Sequence, residues 1–206
     1  MNKGVLSKIH GFSTWFSNLV YINILWLTFI LLGGVFLGFF PATIAMLFII
    51  RKLMVEKDDF SIRKEFISAF KREFRKSNQL FYPFILCGFI IIMDIRFISS
   101  LNFMYSHSVV KLFYILVFLL VMIFLYSLVV YINGVVGKRE ILKKAIHLLI
   151  NNPMINLYIL TGVLLLQFLV VKITGAFFMF SGSLFSWFLL ITVSKTTKNS
   201  ISNIDK

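Results

Sequence analysis

Apolar residues run from Phe12 to Ile50, with no Lys, Arg, Asp or Glu between Lys8 and Arg51. As helix, that uncharged stretch measures about 63 Å against roughly 30 Å of hydrocarbon per crossing, which predicts two membrane spans joined by a tight turn. Gly33, Gly34 and Gly38 mark the turn, because glycine tolerates the dihedrals of a reversal. The spans are predicted at 12–32 and 35–50. A re-entrant segment at Phe39-Phe40-Pro41-Ala42-Thr43 is the other reading, since only about 15 Å of apolar helix follows Pro41 before Arg51. Later apolar runs predict spans at 79–97, 109–132, 154–171 and 176–193. The fold class is therefore an all-α polytopic membrane helix bundle of about six spans, or five if 154–193 is one broken helix.

The polar positions are as patterned as the apolar ones. Arg51 to Lys76 holds nine of the 21 Lys and Arg and five of the eight Asp and Glu. Within it Ile62, Phe66, Phe70 and Phe74 recur at every fourth position, widened by Ile67 and Ala69, while Lys64, Lys71, Arg72, Arg75 and Lys76 fall on the opposite arc. That period predicts a cytoplasmic amphipathic helix over 61–76, between spans 2 and 3, with Ser61 at its cap and Asp58 and Asp59 beside its positive end. Its apolar face has three possible occupants: anionic lipid headgroups, the cytoplasmic ends of the spans, or a partner protein. Lys64, Phe66, Phe70, Lys71, Arg72, Phe74 and Arg75 form the candidate partner or lipid surface. Arg139 to Ile150 reads as a weaker second copy of the same device.

Charge then orients the chain. With both termini on one side, 18 basic residues share that side and only Arg96, Lys111 and Lys172 lie opposite. Lys and Arg near span ends set orientation, so both termini and the central stretch are predicted cytoplasmic. Composition agrees with a membrane protein: 59% hydrophobic and 14% charged, against roughly 45–50% and about 25% in soluble domains. The net charge of +13 comes from residues flanking apolar segments, so it argues for topology and against a nucleic-acid partner.

Candidate chemistry is sparse. Cys87 is the sole cysteine, which excludes an intrachain disulfide and a thiolate cluster. His10, His107 and His147 fall in separate segments without carboxylates or cysteines at ligand spacing. No nucleophile, base and orienting group occur together, so the expectation is a non-enzymatic protein without a cofactor. Asn18, Asn23, Asp94 and Gln167 are the candidate intramembrane polar site. Interhelical hydrogen bonding is the plain reading of such groups and a substrate path the sharper one. Asp94 lies about 21 Å along its helix from Leu80, near the outer interface. Trp26 lies too deep in span 1 for an interfacial anchor and is expected within the bundle.

One set of residues resembles a known family. Asn18-Leu19, Asn23, Leu25-Trp26, Pro41-Ala42-Thr43, Ala45, Arg51-Lys52, Phe66, Phe70-Lys71 and Phe74 occur in the order found in the YesL family of bacterial membrane proteins. Phe40 stands where that pattern has glycine before Pro-Ala-Thr. The resemblance implies a small multi-span protein of the bacterial cytoplasmic membrane, in a family often encoded beside carbohydrate ABC-transporter and polysaccharide-use genes. It suggests an accessory of carbohydrate uptake or sensing, partnered by a transporter or sensor subunit. A small permease in its own right is the alternative.

Overall fold

The computed structural model describes residues 3–55, 60–101, 105–135, 137–172 and 180–193, without the side chains of 3–12, 166, 167 and 169–171. Asp58, Asp59 and residues 176–179 of the last predicted span lie outside the described residues. Among those described there are seven helices and no strand: α1 (Lys3–Leu32), α2 (Phe36–Val55), α3 (Ile62–Ser100), α4 (Ser106–Ile132), α5 (Lys138–Asn151), α6 (Pro153–Lys172) and α7 (Phe180–Val193). Four of them, α1 from Ser13 with α2, α3 and α4, are long and apolar enough to cross a membrane. A fifth candidate is α5 with the first part of α6, a pair bent by 96°. The chain forms two compact units, Met1–Arg75 with Leu157–Thr192 and Lys76–Asn156 with Val193–Lys206.

In the first unit, the predicted glycine turn ends α1. The N–H of Val35 donates to the carbonyl of Ile30 at 2.9 Å and that of Gly34 to Leu31 at 3.1 Å, with Gly34 at φ 77°. This pair of bonds is a Schellman motif, which satisfies helix-end carbonyls through one left-handed residue. Gly33 and Gly38 let the two helices touch, since a Cβ on Gly33 would lie 2.5 Å from the Cα of Gly38. Here α1 and α2 form a hairpin. Pro41 stays inside α2, whose residues Phe40, Ala42, Ile44, Ala45, Met46, Leu47, Ile49 and Ile50 are almost fully buried. That makes α2 the centre of this unit.

The basic stretch differs from its prediction in one respect. Its amphipathic helix starts at Ile62 and does not stop at Lys76; it continues without a break through Ser100 as a helix of 39 residues. Such a helix is about 58 Å long, well beyond the hydrocarbon thickness, so a charged extension and a crossing segment share one rod. Nothing in Ser77-Asn78 breaks a helix, and the change there is one of polarity alone.

In the second unit, Phe81 is fully buried at the centre of an aromatic cluster with Phe84, Phe124 and Tyr131. These contacts pair the start of the crossing part of α3 with the C-terminal half of α4. The bend after α5 falls before Pro153, as expected of a residue that disfavours helix in its predecessor. It is tied to α4 by two side chains: the Tyr126 hydroxyl donates to Asn156 Oδ1 at 2.7 Å, and Asn156 Nδ2 donates to the Leu149 carbonyl at 2.8 Å. In α5, Ile141, Ala145, Leu148 and Leu149 are buried and Arg139 and Lys143 exposed, while the apolar Leu142 and Ile146 are exposed as well.

Candidate functional site

Asn23 lies midway along the crossing part of α1, about 15 Å from Ser13 along the helix axis. It is fully buried, and its Oδ1 accepts hydrogen bonds from the backbone N–H groups of Gly182 at 3.0 Å and Ser183 at 3.1 Å. Those donors belong to the first described turn of α7. Asn23 therefore ties α1 to the backbone of α7. Close approach is required: a Cβ on Gly182 would meet Trp26 Cε3 at 2.9 Å, Asn23 Oδ1 at 3.1 Å and Met46 Cε at 3.1 Å.

The same corner holds the Pro-Ala-Thr triplet. Trp26 Nε1 donates to Thr43 Oγ1 at 3.1 Å, and the Thr43 hydroxyl donates to the Phe39 carbonyl one turn back at 2.7 Å. Trp26 is thus inside the bundle, satisfied by a polar group of α2. From this corner α7 also reaches the start of the crossing part of α1: Gly182 meets Asn23, Phe180 packs on Phe16 with ring centroids 4.7 Å apart and Trp187 on Trp15 at 5.0 Å. Next to Gly182, the hydroxyls of Ser181 and Ser183 are buried without a hydrogen-bond partner. Two such hydroxyls level with Asn23 can hydrogen-bond a polar group at mid-membrane depth.

The basic arc of α3 forms the second candidate surface. Phe66 is fully buried and Phe70 nearly so, and both rings pack on Phe29 of α1, at 5.4 and 5.0 Å between centroids. Phe74 stacks edge-on to Phe70. Lys52 pairs with Glu65 at 3.1 Å and Arg72 stacks over Phe48 at 5.1 Å, while Arg72 also pairs with Glu73 at 2.8 Å. These pairs run in opposite chain directions, so the first turns of α3 lie alongside the C-terminal half of α2 and not beneath it. Phe66 and Phe70 thus pack on α1 close to its glycine turn, and not at the end of the α1–α2 hairpin predicted to be cytoplasmic. Lys64, Lys71 and Arg75 remain exposed.

Of the predicted polar residues Asn18, Asn23, Asp94 and Gln167, Asn23 bonds the backbone of α7, whereas Asn18 is half-buried and, five residues away, sits about 140° around the helix from it. Asp94 belongs to the other unit and is exposed. The side chain of Gln167 lies outside the described residues. Thr43 and Gly182 were not among the predicted site residues. Ser181-Gly182-Ser183 inside an apolar run is the available signal, since such residues start helices as readily as they pack within them.

The arrangement is that of a polytopic helical membrane protein. A family model described as "Protein of unknown function, DUF624" matches residues 19–95, which include Asn23, Trp26, Thr43 and the whole basic part of α3. Three proteins of Bacillus subtilis (strain 168) are similar to the chain. The uncharacterized protein YteU is 32% identical over 185 residues, 89% of this chain and 82% of its own length. The uncharacterized protein YesL is 28% identical over 189 residues, 92% and 89% respectively. The uncharacterized protein YesV is 28% identical over 128 residues, 62% of each. The chain belongs to this YesL-like family of proteins of unknown function. No solved structure matches it.

Proposed function

We propose that the protein is a non-enzymatic multi-pass accessory of carbohydrate uptake or sensing, and that it meets a carbohydrate ABC transporter or a sensor subunit through the cationic arc of α3. One observation carries the docking part of this reading. The apolar face of the amphipathic segment is consumed by Phe29, so Lys64, Lys71 and Arg75 project from a helix held on one side and continued as a crossing segment on the other. A rigid charged surface of this kind suits electrostatic recognition of a partner. The carbohydrate part rests on the family resemblance. Orientation follows the charge asymmetry, which puts this arc and both termini in the cytoplasm of a bacterial cell in a six-crossing arrangement. Affinity purification in mild detergent is expected to recover a transporter or sensor subunit, and the triple variant Lys64→Glu, Lys71→Glu, Arg75→Glu to lose it. Repeated recovery of the wild-type protein alone, with normal sugar growth of a deletion strain, would overturn the proposal.

A second reading, a small permease, is favoured by the partnerless hydroxyls of Ser181 and Ser183, which stand level with Asn23 midway along the crossing part of α1. Sugar uptake by proteoliposomes that falls in Ser183→Ala at unchanged protein insertion supports it. Absence of uptake for every sugar tried removes it.

A further inference from the structure

In the second unit, α3, α4 and α5 enclose a groove of about 440 Å³. Its two ends differ in kind. Phe81 lies beside Tyr131, and Gly88 lies beside Leu120, so α3 and α4 run antiparallel along the groove. Gln79 and Lys138 consequently stand at one end and Cys87 and Leu120 at the other. Between them the wall is hydrocarbon. Its one hydroxyl, on Ser127, donates to the Ile123 carbonyl of its own helix at 2.7 Å.

The groove opens sideways. Leu142 on its rim is 42% exposed and Cys87 is exposed, and Ile85, Leu86 and Phe89 beside it on α3 are more than half exposed. A lateral opening within an apolar surface faces acyl chains. From Gln79 to Cys87 the groove runs about 12 Å along α3, close to the roughly 15 Å of hydrocarbon in one leaflet. Its polar end is cationic, because Lys138 is followed in α5 by Arg139, Lys143 and Lys144 against the single carboxylate of Glu140.

We infer that this groove binds an anionic glycerophospholipid, with one acyl chain laid from Gln79 towards Cys87 and the phosphate beside Lys138. A zwitterionic lipid supplies the same chain but brings its own cation to a cationic mouth, so the site selects for net negative charge. The chemistry does not depend on the proposed function.

Cys87 is the chain's single cysteine and lines the groove, so its alkylation reports occupancy. The full-length protein in mixed micelles is treated with N-ethylmaleimide in the presence of phosphatidylglycerol or phosphatidylcholine, and the adduct is followed by intact mass. Phosphatidylglycerol is expected to protect Cys87 at lower concentration than phosphatidylcholine. Lys138→Gln should weaken that preference about fivefold, the effect of one basic residue near an anionic surface. Arg139→Gln, which removes the same charge outside the groove, should keep the larger part of it. Equal protection by the two lipids, or an equal loss in both variants, would overturn the site. Protection that rises with protein concentration and ignores lipid would assign the groove to a second copy of the chain instead.

Discussion

Replacing Asn23 by leucine isolates the energy of its two hydrogen bonds to the backbone of α7. The two side chains are close in size, so little cavity is created, and the change removes an acceptor of two hydrogen bonds, at 3.0 and 3.1 Å, from a fully buried position. Leaving a buried donor unsatisfied costs about 1–3 kcal/mol, whereas polar pairs in membrane bundles average about 0.6 kcal/mol because the unfolded segments find other partners. For two N–H groups these limits bracket a loss of about 2–4 kcal/mol. At roughly 2–4 °C per kcal/mol for a chain of this size, Tm should fall by about 4–16 °C. The assay is thermal unfolding in mild detergent followed by tryptophan fluorescence. Trp187 lies on α7 against Trp15, and Trp26 lies beside Gly182, so release of α7 is read directly. Asn18→Leu is the control, on a half-buried residue outside the corner at Gly182, and should stay within about 0.5 kcal/mol of wild type. A Tm for Asn23→Leu within about 1 °C of wild type would refute the view that Asn23 anchors α7.

Three further substitutions probe the same unit. Phe66→Ala removes a fully buried ring packed on Phe29 and should cost about 3–5 kcal/mol by thermal unfolding, while Lys71→Gln on the exposed arc should change stability by less than about 0.5 kcal/mol. Gly182→Ala inserts a methyl group 2.9 Å from Trp26 Cε3 and 3.1 Å from Asn23 Oδ1, and should cost about 1–3 kcal/mol with a visible shift in tryptophan emission.

Local features were legible wherever a short stretch decides its own conformation. Gly33-Gly34 ends α1 because a left-handed residue was needed there, and the fourfold spacing from Ile62 to Phe74 sorts the buried from the exposed side of the basic helix. The apolar face was read correctly without its occupant, since Phe29 is 37 residues from Phe66 and no local pattern joins them. The continuity of α3 was hidden for another reason. A change from charged to apolar residues marks where a helix meets hydrocarbon, and at Ser77-Asn78 that change does not coincide with a helix boundary. The least legible feature is the bond between α1 and α7. Its donor Gly182 lies 159 positions from Asn23, so the sequence marks Asn23 as a polar residue in a span without giving its donors.

The hairpin of α1 and α2 bears on the topology of the whole chain. It returns the chain at Val55 to the side of the membrane from which α1 enters. Four helices are long and apolar enough to cross, and the pair α5 with α6 is the fifth candidate. The proposed six-crossing arrangement adds an even number of crossings after Val55, whereas five crossings add an odd number. Reporter fusions at the N-terminus and near Asp58 should give the same signal, cytoplasmic by the charge asymmetry, and a fusion near Asn102 the opposite one. A C-terminal fusion discriminates the two counts: six crossings give it the signal of the N-terminus, and a far-side signal there would refute them. A far-side signal near Asp58 would refute the crossing of both α1 and α2, because their turn would then not lie across the membrane from the N-terminus.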